Sequence, residues 1–318
     1  MMEKSRLART VVTTLGVWCV LLASCVPASD DQAQGPDPRD LAPSVDKAGN
    51  IHQFWTSHLI SDDVFDDAHA LSATAIQAFF EATPYDGARS FLADYTIDDI
   101  SYAEVLASLC VTFEINPLVV LATLQKETGI VSKTNKPSEA LLNKAFGCGC
   151  PDGTRCDPTQ KGLKAQTECA LRFLAVHRDR VRSHGETVTG WAPGKPKNVL
   201  DGFRVLPGNR ASAVLYTYTP WVLRNKGGNW LFWNVFIKYA LATDYAQGLA
   251  IPANEGFVGG TCDGDDDCFY EGGMCNDGVC SKTCTSTCPD RSGPGFLPTR
   301  CEAQDDGAMM CVAASPSN

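Results

Sequence analysis

Histidine is scarce in this chain. The five residues His52, His58, His69, His177 and His184 are scattered. No H-E-x-x-H or comparable ligand set occurs, which excludes a zinc peptidase. Long basic runs are missing, and the formal net charge is -10, so nucleic acid is not an expected partner. After the first 25 residues, no apolar stretch reaches the roughly 18 residues a membrane span needs. No repeat with a solenoid period is visible.

What is present begins with a leader. Lys4, Arg6 and Arg9 precede a largely apolar run from Val11 to Leu22, of signal-peptide length. It ends in Leu22-Ala23-Ser24-Cys25, which resembles the lipobox of bacterial lipoproteins. The resemblance implies cleavage before Cys25, acylation of Cys25 and a membrane attachment through that lipid. The alternative is an ordinary signal peptide whose small residues only guide cleavage. Lipoproteins kept in the inner membrane often carry Asp next; here Val26 follows, which implies the outer membrane of a Gram-negative envelope. Residues 26–50 are dominated by Pro, Gly, Asp and Gln and are expected to form a flexible tether with no core of its own.

Cysteine divides the rest. Cys262, Cys268, Cys275, Cys280, Cys284, Cys288, Cys301 and Cys311 crowd residues 258–318. In an exported chain they read as a small disulfide-rich module, whose connectivity is one of 105 possibilities. Its core would be too small to fold without bridges. Zinc is the competing reading, but the Cys280-x3-Cys284-x3-Cys288 spacing is not that of a zinc site and no histidine is near. Asp263, Asp265 and Asp267 alternate as at the start of a calcium loop, without its glycine and glutamate at the required offsets; a solvated acidic turn is the expectation. No metal or cofactor is expected. Among the central cysteines, Cys150 and Cys156 are close enough to staple the turn-rich Ala145–Asp157 loop. Cys148 would then pair with Cys169 and leave Cys110 a buried thiol. A Cys148/Cys150/Cys156 metal site with His177 is the alternative.

Residues 51–250 read as a mainly helical domain. Ser72 and Ser101 are N-cap candidates for helices carrying Ile76, Phe79 and Phe80, and Val105, Leu106, Leu109 and Cys110. Leu163 to about Arg182 and Trp230 to Ala242 are two further helices, the second apolar nearly all round and hence buried. Val214 to Pro220 is the best strand candidate, being rich in Tyr and Thr. The most informative segment runs from Asn116 to Gly129: Pro117 suits a first helical turn and Gly129 a left-handed stop. Glu127 shares a face with Leu124, Thr123 and Val120. A carboxyl group in such apolar surroundings would favour its protonated form and suit a general acid. Gln125 and Lys126 are turned away by their helical offset. Most helical glutamates are solvated, however, and spacing alone does not single this one out.

The order of motifs adds to this: Leu59-Ile-Ser-Asp-Asp-Val-Phe65, Ile76-Gln-Ala-Phe-Phe80, Ile115-Asn-Pro-Leu-Val-Val-Leu-Ala-Thr-Leu-Gln-Lys-Glu127, Gly147-Cys-Gly-Cys-Pro-Asp-Gly153 and Tyr216-Thr-Tyr-Thr-Pro220. Over roughly residues 51–245 this resembles the lysozyme-like superfamily, and is similar to lytic transglycosylases and goose-type lysozymes. The resemblance implies an α+β lysozyme-like fold with Glu127 as catalytic acid. Thr128 stands where the family usually has serine, Tyr216-Thr217 replaces its Tyr-Asn pair, and its Gly-Leu-Met-Gln motif is absent.

The implied reaction is cleavage of the β-1,4 bond between N-acetylmuramic acid and N-acetylglucosamine in peptidoglycan strands. A transglycosylase needs one carboxylate, whereas a hydrolase usually needs two. Asp152 and Asp157 in the cysteine loop are candidates for a second, with turn formation the favoured reading of each. Tyr216, Tyr218 and Trp221 are candidates to stack on sugar rings, with core packing as the alternative. A non-catalytic glycan-binding or adhesion lipoprotein is the competing function. The C-terminal module is expected to bind or protect, with an unidentified ligand.

Overall fold

The computed structural model of the protein describes residues 36–42, 54–150 and 156–245 and, further on, 258–260, 262–265, 268, 273–286, 288 and 299–313. The leader, Cys25, most of the expected tether, Asp152 and Asp267 lie outside the described residues.

Eight α-helices are described: α1 (Asp62–Asp66), α2 (Ala73–Glu81), α3 (Tyr102–Phe113), α4 (Pro117–Thr128), α5 (Glu139–Leu142), α6 (Leu163–His184), α7 (Arg210–Tyr218) and α8 (Gly228–Ala242). Two short antiparallel pairs accompany them, β1 (Thr96–Ile97) with β2 (Ile100–Ser101) and β3 (Lys197–Asn198) with β4 (Arg204–Val205). A mainly helical domain is thus observed. Polar caps set the helix starts. Ser72 accepts from Ala75 N–H, and Ser101 and Glu104 close a reciprocal capping box on α3, satisfying donors that a helix start leaves open. The opposite end of α3 turns at Glu114, with φ 53°. There the buried Arg178 of α6 donates to the carbonyls of Phe113 (3.0 Å) and Glu114 (2.6 Å), so the acceptors left by the helix end stay paired inside the protein.

The core is continuous from Phe54 to Tyr245. At its centre α4 packs along α8. Every α4 residue from Pro117 to Gln125 is buried, and α8 buries Trp230, Phe232, Trp233, Phe236 and Tyr239 among others.

Two expectations are corrected. Residues 214–220 are not a strand: Val214 to Tyr218 belong to α7, which starts at an Asn209 cap accepting from Ser212 N–H at 2.9 Å. Asp62 fixes the same end by accepting from Ala211 N–H at 2.7 Å. The β propensity of Tyr and Thr yields to this cap and to burial of Ala211 through Tyr216. The tether, in turn, is not solvated throughout. Pro38–Asp40 forms a 3-10 turn, and Asp40 is only 2 % exposed. Its carboxylate accepts from Tyr85 Oη (2.8 Å), Gln125 Nε2 (2.7 Å) and Lys238 Nζ (2.6 Å). Asn234 Nδ2 donates to the carbonyls of Asp40 and Ala42. Residues 36–42 are therefore strapped across α4 and α8.

The C-terminal region carries two antiparallel hairpins, β5 (Met274–Asn276) with β6 (Val279–Ser281) and β7 (Thr299–Ala303) with β8 (Met309–Ala313). The bridges are Cys262–Cys275, Cys268–Cys280, Cys284–Cys301 and Cys288–Cys311. Each half thus joins its first cysteine to its third and its second to its fourth. In each, the third and fourth face each other across the hairpin, Cys275 opposite Cys280 and Cys301 opposite Cys311. The pattern is used twice, although the spacings differ enough to hide the duplication in the sequence.

Candidate functional site

α4 is a buried rod that delivers only its last turn to the surface. Asn116 anchors its start, accepting from Leu118 N–H and donating to the Val64 carbonyl, each at 2.8 Å. Gly129 ends it in the left-handed region at φ 62°, as its sequence position predicts. Lys126, Glu127 and Thr128 are half-buried there. Thr128 Oγ1 lies 3.0 Å from the Ala145 carbonyl and 3.1 Å from that of Leu124, which binds the turn to the cysteine loop.

The surroundings of Glu127 differ from the expected apolar face. Its carboxylate meets Lys126 Nζ at 2.6 Å, and the two side chains are 13 % and 7 % exposed. Lys126 also donates to Thr219 Oγ1 and holds its ammonium 5.0 Å from the Tyr218 ring centroid, within reach of the ring's negative face. The helical offset predicts that Lys126 turns away, but its four methylenes carry the ammonium round the helix to the adjacent Glu127. Gln125 does point away, toward Asp40 and Ser132.

The other side of the cluster is fixed by α7 and the cysteine loop. Tyr218 Oη donates to the Phe146 carbonyl at 2.9 Å, and its ring meets Phe173 edge-on at 5.3 Å. Asn229 Nδ2 holds the Thr219 carbonyl at 2.6 Å. The loop itself is organised by the buried Gln166, which accepts from Phe146 and Cys148 N–H and donates to the carbonyls of Cys148 and Gln160. The Cys148–Cys169 and Cys150–Cys156 bridges lie here, and Cys110 stays a free buried thiol, all as expected. Burial pushes that thiol's pKa up, away from nucleophilic use.

Of the expected sugar-stacking residues, Tyr218 lies at the cluster. Tyr216 does not: its ring is fully buried, stacked on Trp191 at 5.0 Å between centroids, so core packing accounts for it. Trp221 is half-buried two residues beyond Thr219, in the loop leading to α8. Asp157 is an exposed turn residue that accepts from Thr159 N–H and Oγ1. The first of these bonds is the main cause holding its pKa below the usual carboxylate value. Sequence reasoning missed Lys126, Thr219 and Gln166. Lys126 is visible in the sequence as a cation adjacent to the candidate acid, whereas the strand-like Tyr and Thr content of residues 214–220 conceals Thr219.

The alternative metal site with His177 loses its cysteines, since Cys148, Cys150 and Cys156 are all bridged. His177 lies buried against the Phe173 ring at 4.3 Å, and burial, aided by Arg180, lowers its pKa to about 4. Cys262, Cys268 and Cys280, and Cys284, Cys288 and Cys311, bring their sulfurs close enough to hold an ion. Disulfides already engage all six, and a bridged sulfur is no thiolate donor. An open groove lined by Tyr95, Ile97, Lys164 and Glu168 at the start of α6 includes none of the cluster residues.

Comparison with protein-family models, with curated proteins and with solved structures finds no match in any of the three.

Proposed function

We propose that this chain cleaves peptidoglycan strands at the β-1,4 bond between N-acetylmuramic acid and N-acetylglucosamine, as a lytic transglycosylase with Glu127 as its one acid–base group. The observation carrying this reading is the placement of Glu127. It is the half-buried carboxylate at the emerging end of a buried helix, and the contacts defining its cluster bring lysine, tyrosine and threonine but no second carboxylate among the described residues. Glu127 would protonate the glycosidic oxygen as the C1–O bond breaks and an oxocarbenium-like centre forms. The carboxylate would then take the proton from the muramyl 6-hydroxyl as O6 bonds to C1. The products are a 1,6-anhydromuramyl end and a free 4-hydroxyl on the departing glucosamine. Between the two steps Lys126, held by Thr219, faces the ionised carboxylate. The half-buried Tyr218 and Trp221 would offer aromatic faces to the sugars. The lipobox-like leader would hold the enzyme in the envelope through Cys25.

The test is incubation of the protein with purified peptidoglycan. Release of 1,6-anhydromuropeptides, abolished in Glu127→Gln, is the expected result. Reducing-end products would instead indicate a muramidase. A non-catalytic glycan-binding role is the second reading. The Lys126–Glu127 contact at 2.6 Å favours it, because the carboxylate already has a partner within the protein. Binding without release, unaltered by Glu127→Gln, would establish it.

A further inference from the structure

Positive charge is unevenly distributed in this acidic chain. Residues 187–228 hold Lys195, Lys197, Arg204, Arg210, Arg224 and Lys226, against Asp201 as the only acid. Four of the six have partners: Arg210 pairs with Asp66, Lys195 with Glu186, Lys197 lies over the Trp191 ring, and Arg224 lies over the Phe54 ring at 5.1 Å. Arg204, Arg224 and Lys226 are exposed.

The surface they share is built from two loops locked together. The tip of the β3–β4 hairpin meets the 220–227 loop through Leu200 N–H on the Pro220 carbonyl at 2.9 Å. Asp201 accepts from Val222 N–H (3.0 Å) and Leu223 N–H (2.8 Å), so the one local acid is engaged with backbone donors. Leu223 has φ 42°, a conformation that a leucine rarely keeps unless its surroundings enforce it. A Cβ at Gly228 would sit 2.7 Å from the Trp221 carbonyl oxygen, so the loop closes tightly at its far end. On this rigid support Leu200 is 54 % and Phe203 51 % exposed, beside Arg204, Arg224 and Lys226. Thr219, which accepts from Lys126, directly precedes Pro220, so the 220–227 loop starts at the Glu127 cluster.

We propose that the β3–β4 tip and the 220–227 loop bind the carboxylate-bearing peptide stems of the glycan strand, with Arg224 and Lys226 as charge partners and Leu200 and Phe203 as apolar contacts. This rests on the peptidoglycan reading above. Stems project from alternate sugars and end in free carboxylates, so a strand seated at Glu127 and continuing past Thr219 carries anionic groups onto a basic surface. A loop already held in place loses little backbone freedom on binding.

The experiment measures binding of the full chain carrying Glu127→Gln, which leaves the polymer intact, to purified sacculi and to sacculi stripped of their stems by an amidase. The charge reversal Arg224→Glu/Lys226→Glu is expected to weaken binding to intact sacculi by about fivefold to tenfold at low salt, and much less at high salt. Stripped sacculi keep one lactyl carboxylate on each muramic acid, where the amidase has cut, and the loss on them is expected to be much smaller. The neutral pair Arg224→Gln/Lys226→Gln, with an unaltered melting temperature, separates lost charge from lost fold and should give a smaller loss of the same selectivity. Equal loss on both polymers, or loss on neither, overturns the proposal. So does an unchanged affinity for sacculi with lost binding to anionic phospholipid vesicles, which would assign the surface to a membrane. If the unsubstituted chain releases no cleavage product while stem-selective binding holds, the catalytic reading fails and the binding surface stands.

Discussion

Glu127 and Lys126 are adjacent in sequence, and the arrangement at the end of α4 depends on both. Lys126 connects the carboxylate to Thr219 and the Tyr218 ring, and under the transglycosylase reading it would position Glu127. Lys126→Met keeps the aliphatic stem and removes the charge. Under the transglycosylase reading it should lower kcat about a hundredfold, the scale of losing one preorganised electrostatic partner, with KM changed less than about threefold. Lys126→Arg should restore part of kcat. An unchanged kcat for Lys126→Met would leave Lys126 a packing residue only. At this scale the sequence was informative where backbone geometry dictates the outcome: Pro117, Gly129 and the caps at Ser72 and Ser101 stand as read. It was uninformative where a long side chain chooses among distant partners. A helical offset describes Cβ directions, and the Lys126 ammonium lies too far beyond its Cβ for that rule. Tyr216 shows the same limit. Nothing local distinguishes a tyrosine stacked on Trp191 in the core from one facing a sugar.

Among the elements, helices with strong punctuation were legible and those defined by long-range contacts were not. α7 reads locally as a strand, since Val, Tyr and Thr favour extended backbone; its start lies further back, at Asn209, Ala211 and Ser212. The 36–42 strap is the other case, because the average composition of residues 26–50 conceals one aspartate with partners in α4 and α8. Asp40 gathers Tyr85, Gln125 and Lys238, and Asp40→Ala strands all three donors. Removing one member of a buried charged network costs about 3–5 kcal/mol, and each kcal/mol moves Tm by roughly 2–4 °C for a domain of this size. A Tm lowered by about 10 °C is therefore expected. Trypsin should also cut faster after Arg39 in the variant than in the parent chain. Equal cutting rates would mean that the strap is not held by Asp40.

For the whole molecule, the two parts owe their stability to different terms. The helical domain has a continuous apolar core from Phe54 to Tyr245. Among the described residues of the first C-terminal half the buried hydrophobic cluster consists of Cys262, Cys268 and Cys280, with Cys275 packed against it, so there the bridges themselves form the core. Reduction should therefore act unequally. The Cys148–Cys169 bridge spans 21 residues of sequence, and closing a loop of that size is worth about 3 kcal/mol. A domain typically has about 5–15 kcal/mol in hand, so the helical part should lower its Tm and still unfold cooperatively. Among their described residues the C-terminal halves have no comparable apolar core to fall back on. Mild reduction of the intact protein, followed by blocking of the thiols, should retain most of the far-ultraviolet helical signal. Amide hydrogens of β5 to β8, including those of Cys280 and Cys311 that now bond to Gly260 and Lys282, should lose their exchange protection. Retained protection there after complete reduction would show that the hairpins hold by packing, and that the doubled cysteine pattern is not what folds them.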